Sequence, residues 1–144
     1  SRILITGCPI GGAAEKVVRA IEENGGWVVG YENCTGAKAT ERNVAEDGDV
    51  YDALTDKYLA IGCSCISPNT ERLRLLSQMV EEYQADGVVD VILQACHTYA
   101  VESLAIKRHV RQQHNIPYMA IETDYSTADI GQLSTRVAAF IEML

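Results

Sequence analysis

Gly87-Val88-Val89-Asp90-Val91-Ile92-Leu93-Gln94-Ala95-Cys96-His97 is the stretch on which the fold turns. Val88 to Leu93 is a β-branched apolar run with one polar interruption, Asp90, and such a run reads as a strand covered on both faces. Gln94-Ala95-Cys96-His97 breaks it, and Val101, Leu104, Ala105 and Val110 then follow at helical spacing. Upstream, Ser67-Pro68-Asn69-Thr70 offers cap candidates and a first-turn proline for a long helix on Leu73, Leu76, Met79, Val80 and Tyr83, which Ala85-Asp86-Gly87 stops. Downstream, Pro117 to Ile121 is a further strand with Glu122-Thr123-Asp124 as its exit loop. Ser126-Thr127-Ala128-Asp129 reads as a capping box for a last helix through Val137, Phe140 and Ile141.

The amino-terminal half repeats the pattern. Ile3-Leu4-Ile5 is a strand, Gly7-Cys8-Pro9-Ile10-Gly11-Gly12 a turn, and Val17, Val18 and Ile21 a helix closed by Asn24-Gly25-Gly26. Trp27 to Tyr31 is the next strand, running into Glu32-Asn33-Cys34-Thr35-Gly36. Between Ala37 and Gly62 the pattern weakens to an acidic stretch, Glu46-Asp47-Gly48-Asp49, and a short helix on Tyr51, Leu54, Tyr58 and Leu59. Four apolar strands alternating with helices predict a doubly wound α/β fold: a four-stranded parallel sheet with helices on both faces, joined by right-handed crossovers. With no repeat, low-complexity tract or linker, residues 1–144 read as a single α/β domain.

Composition agrees. The 144 residues are 47% hydrophobic and 22% charged, an ordinary globular balance, with a net charge of −8. That charge argues against a nucleic-acid partner or an anionic membrane surface. No apolar run reaches the roughly 18 residues of a spanning helix and no signal-peptide order is visible, so the expectation is a cytoplasmic protein. Ser1-Arg2 enters a strand at once and Leu144 ends a helical pattern without a cap, so the sequence reads as cut from a longer polypeptide.

In a parallel sheet every strand exit lies on one edge, where loops and helix N-termini gather ligands. Cys8, Cys34 and Cys96 each follow a strand, and Cys63-Ser64-Cys65 adds two thiols in a loop. An isolated cysteine usually packs as a small hydrophobe, but several on one rim point to metal or thiol chemistry, and five is an odd number for a disulfide framework. The paired C-x2-C spacing of zinc sites is missing, whereas iron–sulfur clusters accept scattered cysteines. The glycine turn after the first strand is neither G-x-G-x-x-G nor a P-loop, so it reads as a plain strand-to-helix turn. His97 is a ligand or proton donor, or simply a solvated helix-start residue. Glu32, Glu122 and Asp124 are acid–base candidates, Asp124 doubling as a helix cap, and Tyr99 and Tyr125 read as packing.

Gly7-Cys8-Pro9, Glu32-Asn33-Cys34-Thr35-Gly36, Cys63-Ser64-Cys65-Ile66-Ser67-Pro68-Asn69, Ala95-Cys96-His97-Thr98-Tyr99 and Ile121-Glu122-Thr123-Asp124-Tyr125 together resemble the 2-hydroxyacyl-CoA dehydratase D-component family, which includes benzoyl-CoA reductase subunits and double-cubane cluster proteins. The resemblance covers nearly the whole chain and corresponds to the C-terminal domain of those proteins. It implies a flavodoxin-like domain that faces a second one across an iron–sulfur cluster, a 4Fe-4S or double-cubane centre that an isolated domain does not retain. It implies homo- or hetero-dimers, and single low-potential electrons from an ATP-hydrolysing iron–sulfur activator protein. In the dehydratases of that family an open iron binds the thioester carbonyl of a 2-hydroxyacyl-CoA; one-electron reduction gives a ketyl that expels the hydroxyl, and an enoyl-CoA results. By position Cys96 matches the cluster cysteine of ordinary dehydratase subunits. Cys34, Cys63 and Cys65 exceed what a single-cluster subunit of that family needs and point to the double-cubane branch, an electron-transfer or small-molecule reductase module without an acyl-CoA substrate. The metal-ligand candidates are thus Cys96, Cys34, Cys63 and Cys65. Cys8 is a further cofactor-site candidate or a packing residue at the helix entry.

Overall fold

A computed structural model describes residues 1–9 and 11–144; Ile10, in the glycine turn, lies outside the described residues. Strands β1 (Arg2–Gly7), β2 (Trp27–Glu32), β3 (Gly87–Leu93) and β4 (Tyr118–Thr123) form one parallel sheet in the order β2-β1-β3-β4. Helices are α1 (Gly11–Glu23), α2 (Val50–Leu59), α3 (Thr70–Glu82), α4 (His97–His109) and α5 (Ile130–Glu142). The doubly wound reading therefore holds. None of the described helices is long and apolar enough to cross a membrane.

Strand periodicity assigns the two layers. Ile3, Ile5, Val89, Val91 and Ile121 face α1 and α5, where Val17, Ile21, Val137 and Phe140 cover them. Leu4 and Val88 point the other way, onto Leu75, Leu76 and Met79 of α3 and Ile106 of α4. Because β1 leads first to β2 on one side and the chain later returns to β3 on the other, the crevice beyond the ends of β1 and β3 is the topological switch point.

Several element boundaries differ from the sequence expectation, each for a local reason. Glu32, Glu122 and Thr123 belong to strands rather than exit loops. Pro68 precedes α3 instead of occupying its first turn, and Asn69 makes no side-chain cap: its Nδ2 donates to Glu102 Oε1 at 2.7 Å while its Oδ1, the atom that would cap, is buried without a hydrogen-bond partner. The capping box at α5 does not form: Asp129 accepts from Lys16 Nζ and Thr123 Oγ1, both at 2.6 Å, and Asp124 closes a turn by accepting from the Ser126 N–H. On α4 the apolar spacing misled, since Val101 is 79% exposed and Leu104 53%, while Tyr99 and Ile106 turn inward. Asp49 caps α2 by accepting from the Tyr51 and Asp52 N–H groups, yet only Ala53 of that helix is buried, so Tyr51, Leu54, Tyr58 and Leu59 remain exposed.

Thr6 and Glu32 lie near the carboxyl ends of β1 and β2, Asp90 is the middle residue of β3 in register with Thr6, and all three are buried. They converge on Arg72 of α3, which is 1% exposed. Its Nε donates to Glu32 Oε2 at 3.2 Å, its Nη2 to Thr6 Oγ1 at 2.9 Å, and its Nη1 to Glu102 of α4; Asp90 Oδ1 stands 3.8 Å from Nη2. The Thr6 hydroxyl in turn donates to Glu32, and that of Tyr118 donates to Asp90 Oδ2 at 2.7 Å. Burial works against the charge on Arg72, but Glu32 and Asp90 outweigh it and the guanidinium stays protonated. Burial also pushes the Asp90 carboxyl above its usual range, with Arg72 opposing. One guanidinium thus clamps three strands and two helices. An isolated charge could not be buried there without these partners.

Cys8 leaves β1 inside this framework. Gly7 has φ +112°, and a Cβ there would lie 2.2 Å from the Val91 carbonyl oxygen, so the turn requires glycine. The Cys8 N–H donates to the Val91 oxygen at 2.8 Å, and its sulfur accepts from the Leu93 N–H at 3.3 Å. Burial pushes the thiol up to about 11.

Two outcomes follow from this framework. Arg72→Met is expected to lower unfolding free energy by about 3–5 kcal/mol in urea titration, because Glu32 and Asp90 stay buried without their cation; exposed Arg74→Ala should cost under about 1 kcal/mol. The folded state holds the Cys8 proton to about 11 while the unfolded chain releases it near 9.0. Stability relative to Cys8→Ala should therefore fall by about 2 kcal/mol as pH rises from 9 to 11. Parallel stability curves over that range would contradict it.

Candidate functional site

The thiol-bearing loops sit on the carboxyl edge of the sheet. Cys96 stands at the N-cap of α4, placed by a tight turn in which Ala95 adopts φ +65° and the Cys96 N–H donates to the Leu93 carbonyl at 2.9 Å. A non-glycine residue in the left-handed region carries strain, and such strain concentrates where a side chain must be aimed. The Cys96 sulfur points back at the first turn of its helix. The Tyr99 N–H, foremost, and the Thr98 hydroxyl, 3.6 Å away, hold the thiol below its usual range, with burial opposing. A thiolate at a helix N-terminus is stabilised by the same unpaired amides that favour any anion. Cys8 adjoins Cys96 at the switch point, so the two sulfurs form an unequal pair: one buried and protonated, the other half-buried and acidic.

Cys63 and Cys65 occupy the loop before α3 and adjoin each other. The hydrogen bond to Cys63, foremost, raises the Cys65 thiol. Ser64 Oγ donates to Thr98 Oγ1 at 3.4 Å, which ties this loop to the α4 turn that carries Cys96. Cys34 is exposed in the loop after β2, where Asn33 Oδ1 accepts from the Thr35 N–H at 3.0 Å and the Thr35 hydroxyl at 2.9 Å. Tyr99, one turn into α4, brings its phenol beside the Cys34 sulfur. The structure therefore links all five candidate cysteines through α4 and its entry turn. They are arranged as pairs and a single: Cys8 with Cys96, Cys63 with Cys65, and Cys34 against Tyr99. Among the described residues no group of three or more His, Cys, Asp or Glu side chains closes on a common point.

The donor set fits part of an iron–sulfur site. Its members are free thiols, four of the five reach solvent, and the acidic side chains nearest to them are committed elsewhere. Glu32 is the plainest case, since its ion pairs with Arg72 and Lys38 at 3.2 and 3.3 Å leave it no acid–base role at the rim. Soft thiolates without competing carboxylates suit iron–sulfur chemistry. Beside the Cys63–Cys65 loop runs a groove of about 550 Å³, mainly apolar, between Ile66, Pro68 and Leu73 on one wall and Val101 and Ala105 on the other. His97 is exposed at its mouth. Glu122, Asp124 and Asp129 border a separate polar hollow of about 270 Å³ beyond β4.

Lys38, Arg72, Glu102 and Tyr118 escaped the sequence reading. Arg72 had a signal: it precedes Leu75, Leu76 and Met79 by three, four and seven residues, so it continues their buried stripe. Asp90, the polar break in β3, marked the other end of the same network. Lys38 had none, because its burial depends on a short 3-10 turn, Ala37–Ala39, folding back beneath α4.

Comparison with known proteins supplies the remaining context. Residues 1–144 match the profile of the 2-hydroxyglutaryl-CoA dehydratase, D-component family. The chain is 91% identical over 143 residues to the Escherichia coli (strain K12) protein provisionally named dehydratase subunit YjiM, covering 99% of this chain and 37% of that one. It is 25% identical over 144 residues to the (R)-phenyllactyl-CoA dehydratase beta subunit of Clostridium sporogenes, with 99% and 38% covered. Over 64 residues it is 30% identical to one of the subunits of benzoyl-CoA reductase from Thauera aromatica, covering 44% of this chain and 15% of that one. The chain spans little more than a third of the first two relatives. With a match that runs from the first residue to the last, this chain belongs to the 2-hydroxyglutaryl-CoA dehydratase, D-component family.

Proposed function

We propose that these residues are the C-terminal, iron–sulfur-cluster-binding domain of a cytoplasmic 2-hydroxyacyl-CoA dehydratase-like enzyme. The enzyme would dehydrate a 2-hydroxyacyl-CoA reversibly to an enoyl-CoA. The observation that carries the proposal is the set of solvent-reaching thiols, Cys34, Cys63, Cys65 and Cys96, around one sheet edge in a chain of this family. A bound cluster would supply single electrons at low potential, delivered by an ATP-hydrolysing iron–sulfur activator protein.

The chain's own groups have separable tasks. Cys96 offers a thiol drawn below its usual range, aimed by Ala95 and held by the α4 amides. Cys8 stays protonated beneath it and supports the turn. Cys63 and Cys65 are carried by a loop whose far side walls the apolar groove, so a substrate lying there would meet the thiol rim at one end. The remaining ligands and the opposing wall would come from the rest of the longer polypeptide or from a homo- or hetero-dimeric partner. A second reading has its own observation. Three solvent-reaching thiols accompany Cys96, more than the one cysteine that a single-cluster dehydratase subunit takes from this domain, and they favour a double-cubane electron-transfer or reductase module without an acyl-CoA substrate.

The full-length parent, purified under strict anoxia, is expected to contain iron and acid-labile sulfide and to absorb in the near-visible. A chain free of both defeats the proposal. Cys96→Ser should reduce iron per chain more than Cys8→Ser; equal iron in both removes the ranking. With activator, ATP and reductant present, conversion of a 2-hydroxyacyl-CoA to its enoyl-CoA supports the dehydratase reading. Reduction of the cluster without turnover of any acyl-CoA supports the double-cubane one.

A further inference from the structure

Away from the thiol rim, two of the chain's three histidines meet on a single hydroxyl. His109 Nε2 stands 2.6 Å from Ser77 Oγ of α3, and His114 Nε2 stands 2.8 Å from the same oxygen. The ring centroids are 6.0 Å apart and the planes cross at 67°, so the rings meet edge to face and do not stack. Backbone geometry produces this convergence. His109 is the last residue of α4, and Val110–His114 continues it as a π turn, a wider helical form that is rare and concentrates at functional sites. Residues five apart diverge around an α-helix, whereas the wider turn brings His114 round to the face of His109. Fully buried Val110 anchors the turn, and Asn115, left-handed at φ +54°, ends it.

A serine hydroxyl has one hydrogen to give, so Ser77 can serve only one bare imidazole nitrogen, and the other ring must turn an N–H toward Oγ. Two ring nitrogens therefore aim at one oxygen that matches their lone pairs unevenly. Both rings are half-buried, which leaves the pair open to solvent. Burial, foremost, and the facing His114 hold the His109 ring below its usual range, so it keeps the neutral form that ligates metals. We propose that His109 and His114, with Ser77 between them, bind a divalent transition-metal ion of the class of zinc. Imidazole nitrogen is a preferred ligand of such ions, and bonds of about 2.0–2.1 Å would gather both nitrogens on one centre in place of their shared contact with the hydroxyl. The Ser77 oxygen is the third donor at hand, and water completes the shell. An ion held there would tie the end of α4 to α3. Cys96 heads α4 and the Cys63–Cys65 loop leads into α3, so the tie would brace the two helices that carry these thiols without using any of them. The site is thus independent of the cluster reading.

The test uses the full-length parent chain, its accessible thiols first blocked with iodoacetamide so that added zinc does not collect at the rim. Diethyl pyrocarbonate labelling of each histidine is followed by peptide mass spectrometry, with exposed His97 as internal reference. Micromolar zinc is expected to slow labelling of both His109 and His114 by about fivefold or more relative to His97, because a ligated ring nitrogen is no longer a nucleophile. Unchanged ratios, or protection of one ring alone, overturn the inference. His114→Gln removes one donor and should abolish the protection of His109; protection that persists there means that the rings share no ion, and it too overturns the inference. Should that variant fail to fold, His109→Gln gives the reciprocal reading at His114. Magnesium at the same concentration should protect neither ring, since it prefers oxygen ligands, and equal protection by it counts against the assignment.

Discussion

A guanidinium buried against three neighbouring strands is the constraint on which the rest of this domain is built. Arg72 reaches from α3 to Thr6 on β1, Glu32 on β2 and Asp90 on β3, and touches Glu102 on α4. Desolvating so many charges is costly, and a buried ionic cluster rarely adds stability over a well-packed apolar one. What it does add here is definition. Each partner comes from a different element, so the ion pairs close only when those elements share one register. The loop of Cys63 and Cys65 precedes α3, the Cys34 loop follows β2, and Cys96 begins α4. Arg72 therefore fixes three cysteine-bearing segments relative to each other although it touches no thiol.

The charge network and the thiol rim form two storeys of one structure. The lower storey is buried and ionic, and Tyr99 and Tyr118 turn from its two ends toward the layers around it. The upper storey is neutral or thiolate and reaches solvent. Tyr99 belongs to both, because its ring lies between the lower cations while its helix begins at Cys96. Such stacking explains why the thiols differ so much in acidity. Cys8 sits in the apolar layer and is pushed up, whereas the adjoining Cys96 faces helix amides and is drawn down. The difference arises from placement and not from residue type.

Several large apolar side chains remain at the surface. Tyr51, Tyr58 and Leu59 on α2, Ile66 in the thiol loop and Val101 on α4 are all exposed. On α2 and α4 these are positions where helical spacing pointed to a core and the described residues provide none. The spacing was a faithful record of an apolar face, but periodicity marks only that a face is apolar and says nothing of what covers it.

Local pattern alone determined the layer order of this protein: apolar runs alternating with helical stripes leave a parallel sheet as their consistent arrangement, and strand exits on one edge then place Cys8, Cys34 and Cys96 there. The buried pair of Asp90 and Arg72 was half visible, as polar residues at positions that periodicity assigns to the interior. Tertiary structure decided the rest. Which thiols adjoin, which is buried, and how Lys38 comes to lie under Tyr99 depend on segments meeting across 26 to 85 residues of chain. A side chain's partner at that separation is set by how helices seat on the sheet and where each side chain then points, and no short-range pattern in the sequence carries that information.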